Sequence, residues 1–138
     1  MLLAALLLII TTGIATTTHN NHFHILDVGQ GLAAVFASNN SAMVFDTGNK
    51  FVSGFNLADA VIHPFLRSKN ITAVDKIIIS HKDRDHSGGL EELLEKYPTD
   101  DIITEENNRC KEENSWQIDG WNFQILATDG KFSGNNNS

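Results

Sequence analysis

The strongest constraint on this chain is an abrupt change of character at residue 80. Ile77-Ile78-Ile79 belongs to an isoleucine-rich stretch, Val74 to Ser80, that reads as a buried strand. His81-Lys82-Asp83-Arg84-Asp85-His86 follows at once, with four potential metal ligands in one short stretch, and then Ser87-Gly88-Gly89. Leu90, Leu93, Leu94 and Tyr97 next recur at helical spacing, Glu91, Glu92 and Glu95 take the other face, and Pro98 ends the helix. The chain therefore runs strand, polar loop, helix, and any fold it adopts must carry that loop at a strand end.

Imidazole and carboxylate are ligands that zinc and manganese accept. An extended backbone would send His81, Asp83 and Asp85 to one side, with His86 closing from the turn. Gly88 and Gly89 are expected to permit a tight turn. Single histidines or aspartates at a strand end are ordinarily just solvated; four in this pattern point to a metal site. A calcium loop is the rival reading. From Asp83 the residues imitate an EF-hand loop, with Gly88 at the sixth position, but the twelfth is Leu94 where glutamate is needed.

Upstream, Phe23 to Val28 and Leu32 to Phe36 read as strands joined through Gly29-Gln30-Gly31. Ala42 to Phe45 is a third strand, ending in Asp46-Thr47-Gly48. Asn56 can cap a helix over Leu57 to Ile62, and Pro64 is expected to interrupt or kink it. Asp101 to Thr104 is a short strand. Glu105 to Ser115 is a polar loop containing Cys110, read as a passive thiol. Trp116 to Ala127 is a hairpin turning at Asp119-Gly120, its tryptophans used for packing. His22 and His24 read as an exposed spacer residue and an alternating strand residue. Strands around helices make an α/β layered domain, and the tight turns make part of its sheet antiparallel.

The chain of 138 residues has room for one modest domain. Its net charge of −7 and lack of a basic stripe argue against tight non-specific nucleic-acid binding. A nuclease stays admissible, because two divalent ions add positive charge at the site itself. Residues 1–18 are uncharged and largely apolar, and are expected to be the end of a transmembrane helix, with a signal-like segment as the alternative.

Taken in order, these segments resemble the metallo-β-lactamase superfamily, whose signature is His-x-His-x-Asp-His after a buried strand. Asp83 stands where the second histidine usually sits. With Gly88-Gly89 following, the loop is similar to that of ComEC-type DNA-internalisation competence proteins. Leu26-Asp27-Val28-Gly29-Gln30-Gly31, Phe45-Asp46-Thr47-Gly48 and Asn135-Asn136-Asn137-Ser138 resemble further landmarks of those proteins, so residues 22–138 look like the first half of such a domain.

The resemblance implies an αββα layered fold, with a mixed or antiparallel sheet and helices outside. It implies a metal-dependent nuclease that degrades the non-transported DNA strand during natural transformation. It places the domain on the outer face of a bacterial plasma membrane. His81 and Asp83 would help hold one zinc or manganese ion, and Asp85 and His86 a second. Asp85 would also orient the attacking water. Asp27, Gln30, Asp46 and Gly88 would support the site. The superfamily completes its site from a second half, so this chain alone is expected to bind at most one ion weakly, with little turnover. Another hydrolase of the same fold, or a degenerate scaffold domain, are the competing readings.

Overall fold

The computed structural model of the chain describes residues 20–104 and 115–125. The apolar leader, the polar loop around Cys110 and the closing Asn-rich segment lie outside the described residues, as do the expectations placed on them. Among the described residues no helix is long and apolar enough to cross a membrane.

Five strands form one sheet in sequence order: β1 (Asn21–Ile25), β2 (Ala34–Ser38), β3 (Ser41–Phe45), β4 (Ala73–Ile78) and β5 (Ile102–Ile103). β1, β2 and β3 are antiparallel neighbours, whereas β4 lies parallel to β3 and β5 parallel to β4. The sheet is thus mixed, as expected. A π-helical turn (Ala58–Ile62) runs into α1 (His63–Ser68); α2 (Arg84–Ser87) and α3 (Leu90–Lys96) follow β4. β6 (Ser115–Ile118) and β7 (Trp121–Gln124) make a separate antiparallel hairpin. Asp119 and Gly120 both have positive φ, the geometry of a tight primed turn.

Side-chain alternation divides the core. Val35, Val44, Ile77 and Ile79 meet Leu57, Ile62, Leu66 and Leu93 of the helical side. Phe36, Met43, Ile78 and Ile103 meet Trp116, Ile118 and Phe123 of the hairpin. The layers are therefore helix, sheet and second β-layer. Trp116 stacks on Phe123 at 5.7 Å and 7°, and the Lys76 ammonium lies 4.9 Å from the Trp116 ring centre. His24 meets the edge of Phe65 at 4.8 Å, while His22 is exposed.

Pairing between β3 and β4 steps from Ala42–Val74 to Met43–Lys76, so Asp75 is an extra residue, a bulge. A strand with period two would put Val74 and Ile77 on opposite faces. The bulge lets both reach the helical side.

Two local expectations are corrected. Pro64 does not break the helix. His63 N–H bonds to the Ala58 carbonyl five residues back, and this wider turn accommodates the residue that lacks an N–H. The first hairpin pairs Asn21–Ile25 with Ala34–Ser38, so Asp27 to Gly31 form a loop beyond the ladder rather than its turn.

Candidate metal centre

The Ile-rich strand ends beside Asp46, which closes β3. Asp46 has no exposed surface and a φ of 56°, a backbone conformation few non-glycine residues adopt outside functional or strained sites. Its N–H bonds to the Ile78 carbonyl at 2.8 Å, fixing it against β4. Its carboxylate accepts three hydrogen bonds. Ser80 N–H donates to Oδ1 at 2.7 Å, the Ser80 hydroxyl to Oδ2 at 2.7 Å, and His86 Nδ1 to Oδ2 at 2.8 Å.

This carboxylate sets the proton positions on two histidines. It can only accept, so the proton between it and His86 sits on Nδ1. The Ser80 hydroxyl spends its one proton on Asp46 and therefore accepts from His81 Nδ1 at 2.9 Å. Both rings consequently turn an Nε2 electron pair away from Asp46. A carboxylate that fixes the tautomer of a ligating histidine is a common support for metal sites.

The chain leaves its extended course at Asp83, with φ −60° and ψ 143°. The Asp83 carbonyl accepts from His86 N–H at 2.9 Å and Ser87 N–H at 3.0 Å, starting α2. Asp85 and His86 therefore project from a helical turn, not from the continuous extended strand that alternation alone would give. His81 Nε2 lies 3.4 Å from Asp83 Oδ2, and His86 Nε2 3.7 Å from Asp85 Oδ2. The two rings are adjacent, with centroids 3.9 Å apart. Among the described residues the ligands come together as two pairs, not as a cluster of three or more.

In each pair an imidazole electron pair faces a carboxylate oxygen. Two acceptors held this close can share a cation, either a proton on the ring or a metal ion. Four-coordinate zinc, with bonds of ~2.0–2.1 Å, spaces its ligands by about 3.3–3.4 Å. The first pair, at 3.4 Å, has that spacing and the second, at 3.7 Å, is wider; an imidazole nitrogen beside a carboxylate oxygen is donor chemistry that zinc and manganese accept, two donors to each pair. The calcium alternative does not fit, because helical backbone over Arg84–Ser87 and Leu90–Lys96 cannot wrap one ion in a loop.

The remaining candidates buttress this loop or lie near it. Asp27 Oδ1 accepts from Gly29 N–H at 3.1 Å, holding the β1–β2 loop in a local turn. Gln30 is exposed in that loop. The neighbouring Gly31 has φ 117°, and a Cβ there would lie 2.1 Å from the Asp85 carbonyl oxygen. Gly88 has φ −61° and ψ −31°, ordinary helical values, so it is not needed for a turn. It is needed for room: a Cβ would lie 2.4 Å from Lys50 N.

Sequence reasoning missed Ser80 and Thr47. Thr47 is fully buried; its N–H bonds to the His86 carbonyl at 2.6 Å, and its hydroxyl accepts from Gly89 N–H at 3.1 Å. The signal available was a hydroxyl residue beside each motif: Thr47 next to Asp46, and Ser80 next to His81.

Comparison with known proteins adds a family. The model described as "Metallo-beta-lactamase superfamily" matches residues 26–125. The chain is 38% identical over 110 residues to "Recombination protein 2" of Haemophilus influenzae. It is 35% identical over 104 residues to "Uncharacterized protein YcaI" of Escherichia coli, and 32% over 108 residues to "Competence protein ComA" of Neisseria gonorrhoeae. These alignments take in 72–74% of this chain but only 14–15% of each relative.

Proposed function

Because the chain belongs to the metallo-β-lactamase superfamily, we propose that it forms part of a metal-dependent phosphodiesterase centre acting on DNA. Its parent would be a membrane protein of DNA uptake, and the strand degraded would be the one not transported. The observation that carries this reading is the pair of Nε2 electron pairs facing carboxylates over one buried aspartate. The relatives' names, a recombination protein and a competence protein, support DNA as the substrate.

His81 and Asp83 would hold one zinc or manganese ion, and Asp85 and His86 the other. Bound ions of this kind supply Lewis-acid activation of water and phosphate. Asp85, with 29% of its side chain exposed, would accept a hydrogen bond from the attacking water and so orient it. Asp46 and Ser80 hold both imidazoles in the ligating tautomer. Each pair offers an ion two donors, so further ligands would come from the rest of the parent protein. The 138-residue chain would then hold at most one ion weakly. Residues 1–18 would join the domain to the membrane, with the domain on the outer face.

The test compares this chain with one extended to the relatives' length, on single- and double-stranded DNA. Manganese or zinc should restore cleavage to the extended chain, and Asp85→Asn should abolish it. An extended, folded chain that is inert with every divalent metal would sink the proposal.

A further inference from the structure

Two neighbouring residues past the end of β3 hold different parts of His86. Asp46 holds its ring. Thr47 holds its main chain. The His86 carbonyl accepts twice, from Thr47 N–H at 2.6 Å and from the Thr47 hydroxyl at 3.1 Å. The same hydroxyl accepts from Gly89 N–H at 3.1 Å, so its one proton and a lone pair are both engaged. Thr47 has no exposed surface, and Gly89 is buried. The approach is close: a Cβ on Gly89 would lie 2.7 Å from the Thr47 carbonyl oxygen. Next along, Gly48 N–H bonds to the Leu32 carbonyl at 3.0 Å, and Leu32 N–H to the Asp85 carbonyl at 3.3 Å. The residues after Asp46 thus secure the main chain on which Asp85 and His86 stand.

A ligating nitrogen is well placed only when both ends of its side chain are fixed. We propose that Thr47 is a positioning residue of the centre: its hydroxyl, shared between the His86 carbonyl and the Gly89 N–H, sets where the His86 Nε2 stands. The proposal rests on the metal-centre reading of the loop. Its chemistry separates close substitutes. A valine of the same shape loses the donor to His86 and leaves a buried Gly89 N–H with no acceptor, a loss the turn relieves only by shifting. A serine keeps both bonds. The Thr47 N–H bond survives either change, so the hydroxyl alone is tested.

The experiment follows the 138-residue chain by NMR. In a chelator, Thr47→Val should speed exchange of the Gly89 N–H about tenfold, and Thr47→Ser should leave it near the parent rate. In a zinc titration, the midpoint read at the His86 ring should rise about tenfold in Thr47→Val and return in Thr47→Ser. Val74→Ala, a buried change at the far end of β4, should lower the urea midpoint and leave the zinc midpoint in place. A merely structural role for Thr47 would not separate those two readings. If the valine variant does not fold, Thr47→Ala, which sets no methyl group against the Gly89 N–H, replaces it with the same expectations. Zinc binding that ignores the loss of the hydroxyl, or an equal rise in Thr47→Ser or Val74→Ala, overturns the proposal and leaves the metal centre standing. Should the 138-residue chain show no zinc shift at His86, the same titration is made on the chain extended to the relatives' length. No shift there either sinks the metal-centre reading and this proposal together.

Discussion

Asp46 is the residue on which the candidate centre turns, and Asp46→Asn and Asp46→Ala should fail in different ways. Alanine removes the acceptor for three donors and leaves a void where no surface was exposed. Hydrogen bonds to a charged acceptor contribute about 1.5–3 kcal/mol each, and losses within one network overlap. The expected destabilisation is therefore about 3–5 kcal/mol, read from urea unfolding. Asparagine keeps the shape and one carbonyl acceptor, so its stability cost should be only about 1–2 kcal/mol. Its amide, however, donates toward His86 Nδ1. The ring must then move its proton to Nε2, and the ligating electron pair is lost. Zinc affinity, measured by competition with a chromogenic chelator, should fall roughly 10–100-fold. Long-range nitrogen–proton NMR spectra should show the tautomer change directly. Ser80→Ala should release His81, while Asp46 keeps the His86 proton on Nδ1. Asp46→Asn with the original His86 tautomer and zinc affinity within twofold of the parent chain would refute the reasoning.

Gly88→Ala should cost about 2–4 kcal/mol, because its Cβ would meet Lys50 N at 2.4 Å, while Gly54→Ala, with open space around it and φ 87°, should cost about 1 kcal/mol; equal urea midpoints would contradict the close-approach argument. The hydrogen bond from Lys96, with a second from Asn56, holds the Asp59 carboxyl below the ordinary range. A lowered acid contributes stability above its unfolded value and loses it as pH falls. Melting temperatures of the parent chain should therefore converge on those of Asp59→Asn as pH drops below about 4. Burial, aided by Lys69 and His22, lowers the pKa of His24. Its contribution is present above about pH 6.5 and fades as pH falls through the folded value, so an NMR titration should give a His24 midpoint below that of a random-coil histidine.

The elements were legible wherever local pattern decides them. The isoleucine strand, the helix spaced on Leu90, Leu93 and Leu94, and the Asp119-Gly120 turn all form where their residues predict. Each depends on neighbours a few positions away. The order of the site is different in kind. Asp46 reaches Ser80 and His86 across 34 and 40 positions, and periodicity carries no record of such a contact. The role of Gly88 was hidden for the same reason, since what it makes room for is Lys50. Pro64 misled because a proline rule assumes ordinary helical bonding, and the turn before it is wider. Phe51 and Phe55 carry no periodic signal at all; only the folded loop shows both rings in water.

The bulge at Asp75 makes β4 a counting device. Before it the strand keeps one inward–outward phase, and after it the opposite one, through to Ser80 and the ligand loop. Substitutions between Asp75 and His81 leave that count intact. A gain or loss of one residue would reverse it, turning Ile77 and Ile79 toward the hairpin and Ser80 away from Asp46. Two residues would restore the phase but carry the loop about 7 Å beyond its support. An insertion at the Lys69-Asn70 turn, ahead of the strand, would only lengthen a connection. Length variation should therefore be tolerated on one side of Asp75 and excluded on the other, although both sides belong to the same few residues of chain.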